Sequence, residues 1–307
     1  MMVKQPEERD VDIFQCCLDF VQSFEDAYTS GKNLPAINFS DVGLSADLPL
    51  DEADHHDIVI CSPHPDDEAI CGALPLKLNN KKHRILNIAL TLGSDPARQD
   101  ERKAELAASC RVLGFDCRLI EEPTGFMGVD PEGERNDKKQ WHRQLQTLIG
   151  HFNHEKPRLI IFPHAGDIHP AHVGTHLLAL AAARQYSRIN KCSVLIAETG
   201  FWGLMQDPNL LIALETKEIA RMIMALLCHQ GEVARNPYHL TVPARLMENV
   251  RRGAEITSFG NSAPSFIFAE MYKITRLESG NIQKRKRGMT AIIPLDYDLT
   301  LTNLETL

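Results

Sequence analysis

Three carboxylates and a histidine stand within five residues, His64-Pro65-Asp66-Asp67-Glu68. Their mutual repulsion calls for a cation, and a divalent metal is the natural one. His64 and Asp67 lie three apart, so both can turn to one side while Asp66 faces another way. That leaves one carboxylate to hold a metal and one to handle protons. A catalytic zinc site commonly has three protein ligands and an open position for water. This stretch supplies two ligands at most, and a third must come from elsewhere.

The elements around it can place such a group. Ile58-Val59-Ile60-Cys61 is a short apolar run rich in β-branched residues, which predicts a buried strand. Ser62-Pro63 and Pro65 then break the chain into a tight loop. From Asp67 the residues suit a helix, expected to run to about Asn79 despite Pro75. Open α/β sheets bind ligands just outside the carboxyl ends of their strands, where this loop would lie. The pattern recurs further on. Arg158-Leu159-Ile160-Ile161-Phe162 reads as another buried strand, followed by the polar stretch Pro163 to His176 and a helical run from Leu177. Two such loops at one sheet edge would face one crevice.

The segment Ser62-Pro63-His64-Pro65-Asp66-Asp67-Glu68 resembles the (A/S)HPDDE motif of the PIG-L/LmbE-like deacetylases. Asp167-Ile168-His169-Pro170-Ala171-His172 is similar to that family's later HPDH segment. Between them, Thr91-Leu92-Gly93, Arg102-Lys103-Ala104-Glu105 and Leu113-Gly114 resemble its TxG, RxxE and LG pattern. The resemblance covers Asp57 to His176, more weakly the rest, and the paired motifs are specific. It implies a Rossmann-like α/β fold, a mostly parallel sheet flanked by helices, and Zn2+-dependent hydrolysis of an N-acyl group, often N-acetyl on an amino sugar. Fe2+ or Mn2+ are the alternative metals. Residue by residue, it implies His64, Asp67 and His172 as metal ligands and Asp66 as general base. It implies His169 as the group that stabilises the oxyanion or protonates the leaving amine, and Arg102 as a substrate contact. Glu68 is expected to hold the loop by hydrogen bonds. The chain departs from the family at Ala171, where an Asp that supports the neighbouring histidine is usual; Asp167 is available to replace it.

The same residues admit other readings. Two histidines and a carboxylate also form the facial triad of non-haem iron oxygenases, but those sites usually sit on all-β scaffolds, and this pattern alternates strand and helix. A non-catalytic metal- or sugar-binding protein of the same fold is the third reading. A structural zinc site is not favoured, because no cysteine has metal spacing. His172 and His176 share one helix face and could bind a metal together. No acid follows as in HExxH, so His172 is expected as ligand and His176 as packing. Arg102 and Glu105, three apart on a helix, read by themselves as a surface ion pair.

Composition sets bounds. The 307 residues suffice for one large domain, with an expected N-terminal helical extension and connector over 1–56 and a catalytic domain over 57–307. Apolar content of 43% and charged content of 24% are ordinary for a globular protein, and a formal net charge of −8 argues against a nucleic-acid binder. The expected partner is a small N-acylated amino sugar or conjugate, with no nucleic acid and no membrane; the sequence is silent on oligomeric state. The eight cysteines include no CxxC and read as reduced thiols, mostly buried. Together with a start free of an apolar signal region, they point to the cytoplasm.

Along the chain, helical spacing over Asp10 to Tyr28 predicts an amphipathic helix packed outside the sheet or on a partner. Thr29 to Asp57 reads as a connector, with His55 and His56 expected in a solvated turn in preference to a ligand role. Arg84 to Leu92 predicts a central strand, Gln99 to Leu113 a helix, and Cys117 to Glu121 a short strand. The Gly-, Pro- and acid-rich stretch Pro123 to Asp137 is a candidate lid. Later expectations are helices over Lys138 to His154, Glu215 to His229 and Pro243 to Gly253, and strands over Ser193 to Glu198 and Ser265 to Arg276. Met289 to Leu301 is expected to form an edge hairpin, and Phe201 and Trp202 to stack on a sugar or plug the core. The basic run Lys284-Arg285-Lys286-Arg287 reads as a solvated turn.

Overall fold

The structure, a computed structural model, describes residues 12–37, 55–79, 83–257, 264–283 and 291–306. The run Lys284 to Arg287 lies outside the described residues. The chain divides into two compact units, Met1–Ala36 and Ile37–Leu307.

In the first unit, α1 (Ile13–Lys32) begins where Asp12 Oδ1 accepts from the Phe14 and Gln15 amides, an N-cap that satisfies two otherwise unpaired donors. It runs four residues past the expected end at Tyr28, and none of its residues is buried.

The second unit is an α/β sheet with helices on both faces. In chain order it contains β1 (Ile58–Ser62), α2 (Asp67–Ile70), α3 (Ala73–Asn79), β2 (Ile85–Ala89), α4 (Gln99–Leu113), β3 (Asp116–Leu119), α5 (Pro131–Asn136), α6 (Lys138–Glu155), β4 (Leu159–Pro163), α7 (Pro170–Asn190) and β5 (Ser193–Thr199). There follow β6 (Leu210–Ala213), α8 (Thr216–Cys228), α9 (Gln230–Arg235), α10 (Tyr238–Thr257), β7 (Ala269–Glu278), β8 (Asn281–Gln283), β9 (Ala291–Ile293) and α11 (Leu301–Thr306). The sheet order is β3-β2-β1-β4-β5-β7-β6-β9, with β8 on β7. The first five strands are parallel; β7 joins β5 and β6 antiparallel, and β9 lies parallel to β6.

Strand order reverses at β1, which pairs with β2 on one side and β4 on the other, Ile58 sitting opposite both Ile85 and Leu159. This is a topological switch point, the place where such sheets open a crevice. Every residue of β1, β2 and β4 is buried. That follows from covering both faces, and it is why these strands read as continuous apolar runs. Ile58 and Ile60 enter one core layer with Leu74, Leu106 and Met222; Val59 and Cys61 enter the other with Leu148, Phe152 and Leu178.

Several elements differ from the sequence expectations. The helix after Asp67 is two pieces, α2 and α3, separated at Cys71-Gly72. Pro243 lies inside α10 rather than opening it. Where a hairpin is expected over Met289 to Leu301, the described residues form one strand, β9, and the start of α11. The four-residue strand β6 has no counterpart among the expectations; so short a run is ambiguous by periodicity. His56 is not in a solvated turn. It is fully buried, with Nδ1 2.6 Å from Glu155 Oε2 and Nε2 2.8 Å from Asp116 Oδ2. All eight cysteines are free, with Cys16 and Cys17 exposed on α1.

Candidate metal centre and its cavity

Two loops build the site, one after β1 and one after β4. The first begins with a residue in an unusual conformation: Asp66 has φ 117°. A non-glycine residue there costs of order 1–3 kcal/mol, and something must hold it. Glu68 does, with Oε2 accepting from the Asp66 amide at 3.0 Å. Its other oxygen, Oε1, accepts from Ser109 Oγ at 2.5 Å on α4 and lies 2.6 Å from His229 Nε2 at the end of α8. Glu68, Ser109 and His229 are all fully buried. The turn separates the adjacent carboxylates. Asp66 lines a cavity, while Asp67 points inward and accepts from the His64 amide at 3.0 Å.

Arg102 completes this wall from α4. It is buried, and its guanidinium donates to Leu92 O and Pro65 O, both at 3.1 Å, and lies 3.4 Å from Glu232 Oε1. The surface pair with Glu105 is therefore not formed; Glu105 accepts instead from the Gly231 amide at 2.9 Å. Gly93 permits the reach: its φ is +84°, and a Cβ there would lie 2.0 Å from Arg102 Nη1.

The second loop brings histidines. His169 precedes α7, which opens on Pro170 at its first turn. His172 follows one turn on. The ligand atoms of His64, His169 and His172 all lie within 4.8 Å of one another. Asp67 Oδ2 stands 3.4 Å from His64 Nδ1 and 3.5 Å from His172 Nε2. The two distant motifs thus meet at one point, with all four side chains together.

His172 is the test of whether a metal fits. It is wholly buried, yet neither ring nitrogen makes a hydrogen bond of good geometry. Buried polar atoms are nearly always satisfied. Nε2 faces the cluster of imidazoles and Asp67, and Nδ1 lies 3.3 Å from Asp167 Oδ2. A cation among these donors would satisfy Nε2, and Asp167 would orient the other nitrogen, as carboxylates commonly do for metal-bound histidines. The donor set of imidazoles and one carboxylate suits zinc or iron.

Asp167, expected beside His169, has Oδ2 beside His172 instead. Its Oδ1 accepts from the His169 amide at 3.1 Å and Oδ2 from the Trp202 amide at 3.1 Å, so it also ties the loop after β5 to the site. His176 is apart from the cluster: Nδ1 lies 3.0 Å from Pro163 O, and the ring packs on Phe162.

Electrostatics separate the two aspartates. Burial and the neighbouring Asp67 charge push Asp66 well above the usual carboxylate range. Burial also opposes ionisation of Asp67, but His172 and His64 outweigh it and hold its carboxyl low. Burial and repulsion from His64 and His172 lower His169. His172 is raised because Asp67 and Asp167 outweigh its burial.

The cavity in front of the cluster is about 590 Å³, lined by His64, Asp66, Arg102, His169 and Trp202 among others. Residues 126–130 of the expected lid form one wall. They are packed rather than free: Phe126 and Val129 are buried, and Met127 O accepts from Gln140 and Gln144 of α6. The aromatic pair divides. Phe201 is buried with its ring 5.4 Å from that of His172, whereas Trp202 is 44% exposed and lines the cavity. His229, Ser109 and Glu232 were not anticipated in the site. His229 alone carries a signal in the sequence: Ala225 to His229 is faintly similar to the PIG-L/LmbE-like helix ending in HxSQ, with Gly231-Glu232 in place of Ser-Gln.

Residues 59–183 match the family model described as PIG-L, GlcNAc-PI de-N-acetylase. Among solved structures, the chain is similar to a conserved protein of Thermus thermophilus, at 20% identity over 71% of this chain and 94% of that one, with a TM-score of 0.54. It is similar to the N,N'-diacetylchitobiose deacetylase of Pyrococcus horikoshii, at 14% identity over 88% and 95%, with a TM-score of 0.51. It is also similar to GalB, the 4-carboxy-2-hydroxymuconate hydratase of Pseudomonas putida, at 15% identity over 71% and 95%, with a TM-score of 0.51. Likeness at this identity is likeness of fold. One fold carries both hydrolase and hydratase here, so the reaction must be argued from the site.

Proposed function

We propose, from the match of residues 59–183 to the PIG-L family model, that the chain is a metal-dependent amide hydrolase removing an N-acyl group, N-acetyl first, from an amino sugar or glycoconjugate. The observation that carries the reading is the convergence of His64, Asp67, His169 and His172 beside Asp66, at the head of a cavity.

His64, Asp67 and His172 would hold the ion, zinc by preference and Fe2+ or Mn2+ as alternatives. When bound, it supplies Lewis acidity to the amide carbonyl and to a water. Asp66 takes the proton of the attacking water and returns it to the leaving nitrogen, so one carboxylate serves both transfers. His169 donates a hydrogen bond to the carbonyl oxygen as charge builds there. Arg102 holds the Asp66 loop in register through the Pro65 carbonyl and presents its edge to the substrate. Glu68 keeps Asp66 in its left-handed turn. The deacetylase domain is taken as 57–307, with 1–56 as an extension. The proposed location is the cytoplasm; among the described residues no helix is long and apolar enough to cross a membrane.

The test is release of free amine from a panel of N-acetylated amino sugars, with and without chelator, alongside metal analysis. Asp66→Ala is expected to keep its metal and lose on the order of a hundredfold or more in rate. Asp67→Ala and His172→Ala are expected to lose the metal as well. Near-full turnover by Asp66→Ala would remove it from the role of base. Oxygen uptake dependent on an oxoacid, without amine release, would favour the iron oxygenase reading.

A further inference from the structure

The helix break that follows Asp67 lies in the interior of the second unit. α2 is four residues long, Asp67–Ile70, too short to hold its shape by its own hydrogen bonds. Its end leaves carbonyls without helical partners, and the start of α3 leaves amides without them. Ile70, Cys71, Ala73 and Leu74 are all buried, so protein groups must serve this backbone.

Three side chains from α10 and β7 do so. Arg245 Nη2 donates to Ile70 O at 2.8 Å. Glu270 Oε2 accepts from the Ala73 amide at 3.3 Å. The Tyr272 hydroxyl accepts from the Leu74 amide at 2.9 Å and lies within donating reach of Cys71 O at 3.1 Å and Glu270 Oε2 at 2.8 Å. Arg245 Nη2 also stands 3.2 Å from Glu270 Oε1, which links the three. Glu270 and Tyr272 are themselves buried.

Arg245 reaches a second loop as well. Its Nη1 donates to Gly200 O at 2.6 Å, after β5. The next residue, Phe201, sets its ring 5.4 Å from that of His172. On the other side, Ile70 ends the helix that begins at Asp67, and Asp67 Oδ2 stands 3.5 Å from His172 Nε2. One guanidinium therefore joins the backbone behind Asp67 to the backbone of the residue before Phe201. Its donors form a rigid planar fork, so it fixes the separation of the two carbonyls as a flexible ammonium would not.

We propose that Arg245, held by Glu270, is a positioning residue of the metal centre: it locks α2 to the Gly200 loop and so sets the spacing of Asp67 and His172. The inference rests on the reading of Asp67 and His172 as metal ligands and extends it to a residue that acts through two backbone carbonyls.

Zn2+ affinity, measured by competition with a chelator, tests this without turnover, and the visible spectrum of the Co2+-loaded protein reports ligand geometry. Arg245→Lys keeps a cation against Glu270 and gives up the fork. Without metal it is expected to melt near the wild-type temperature; it should bind Zn2+ about tenfold more weakly and alter the Co2+ spectrum. Arg245→Met, which removes the cation too, should weaken binding at least as much. Arg118→Met controls for plain loss of stability, because Arg118 Nη1 donates to Glu155 Oε1 at 2.7 Å in the cluster around His56. It should lower the melting temperature and leave Zn2+ affinity and the Co2+ spectrum unchanged. Unchanged affinity and spectrum in Arg245→Lys would overturn the positioning role, as would an equal loss of affinity in Arg118→Met. Wild-type protein with no affinity for Zn2+ would sink the metal-centre reading and the positioning role together. Tight Zn2+ binding with no amine release from any N-acetylated amino sugar would sink the hydrolase reading alone.

Discussion

Asp167 holds two amide donors from the β5 loop, one from its own loop, and faces the buried nitrogen of His172. Replacing one of its oxygens with an amide keeps the size and removes the charge. Asp167→Asn is expected to weaken metal binding about 10- to 100-fold, as loss of an orienting carboxylate does elsewhere; competition against a chelator measures it. Glu68 works on the other side of the site. Glu68→Gln would turn a donor toward either the Asp66 amide or the His229–Ser109 pair, where an acceptor is needed. Turnover is expected to fall on the order of a hundredfold, as a misplaced base commonly costs, with metal content unchanged. Equal loss of metal and turnover would mean that Glu68 supports the ligands rather than Asp66.

The elements around the site are set close. α7 passes so near the wall at 126–130 that a Cβ on Gly174 would stand 2.4 Å from Val129 O and 2.5 Å from the Asp130 amide nitrogen. These are backbone atoms and cannot swing aside. Gly174→Ala should therefore move the wall or the helix, costing about 1–3 kcal/mol in thermal unfolding and raising KM. Within the stretch that reads as a lid by composition, residues 126–130 form a face of the cavity with Phe126 and Val129 buried. Gly125 and Gly128, both at positive φ, flank the buried Phe126 and Val129.

Across the whole molecule, the site lies at the carboxyl ends of the strands, while the opposite ends are tied by His56. Burial works against a charge on His56, but Asp116 and Glu155 outweigh it and raise its pKa above the ordinary 6.5. Glu155, fully buried against His56 and Arg118, falls from an ordinary 4.5 to about 2. The signs follow by linkage. Stability from the carboxylates is present above 4.5 and is lost as pH falls toward 2. Stability from His56 is complete below 6.5 and is lost as pH rises through its raised value. The cluster therefore contributes most between those limits. His56→Ala leaves Glu155 buried without that partner and is expected to cost about 3–5 kcal/mol near pH 6, read by denaturant unfolding. The deficit should shrink at pH 9; a deficit independent of pH would mean the loss is one of packing alone.

The candidate residues sit in two short local motifs and were therefore legible in the chain. The types and spacing in His64-Pro65-Asp66-Asp67-Glu68, the apolar run before them and the second polar loop at His169 to His172 were enough to expect a cation site and a mostly parallel sheet, and the resemblance supplied the roles expected of each residue. Period and composition carry such information because strands buried on both faces must be apolar throughout. What supports the chemistry was not legible, because it comes from contacts far apart in sequence. Glu68 meets His229 across 161 positions, and His56 meets Glu155 across 99. Arg102 turned from an ion pair on its own helix to the carbonyls of two loops. Only the folded packing decides which buried charge finds which partner, since a charge out of water takes the nearest donor or acceptor in space and not in sequence.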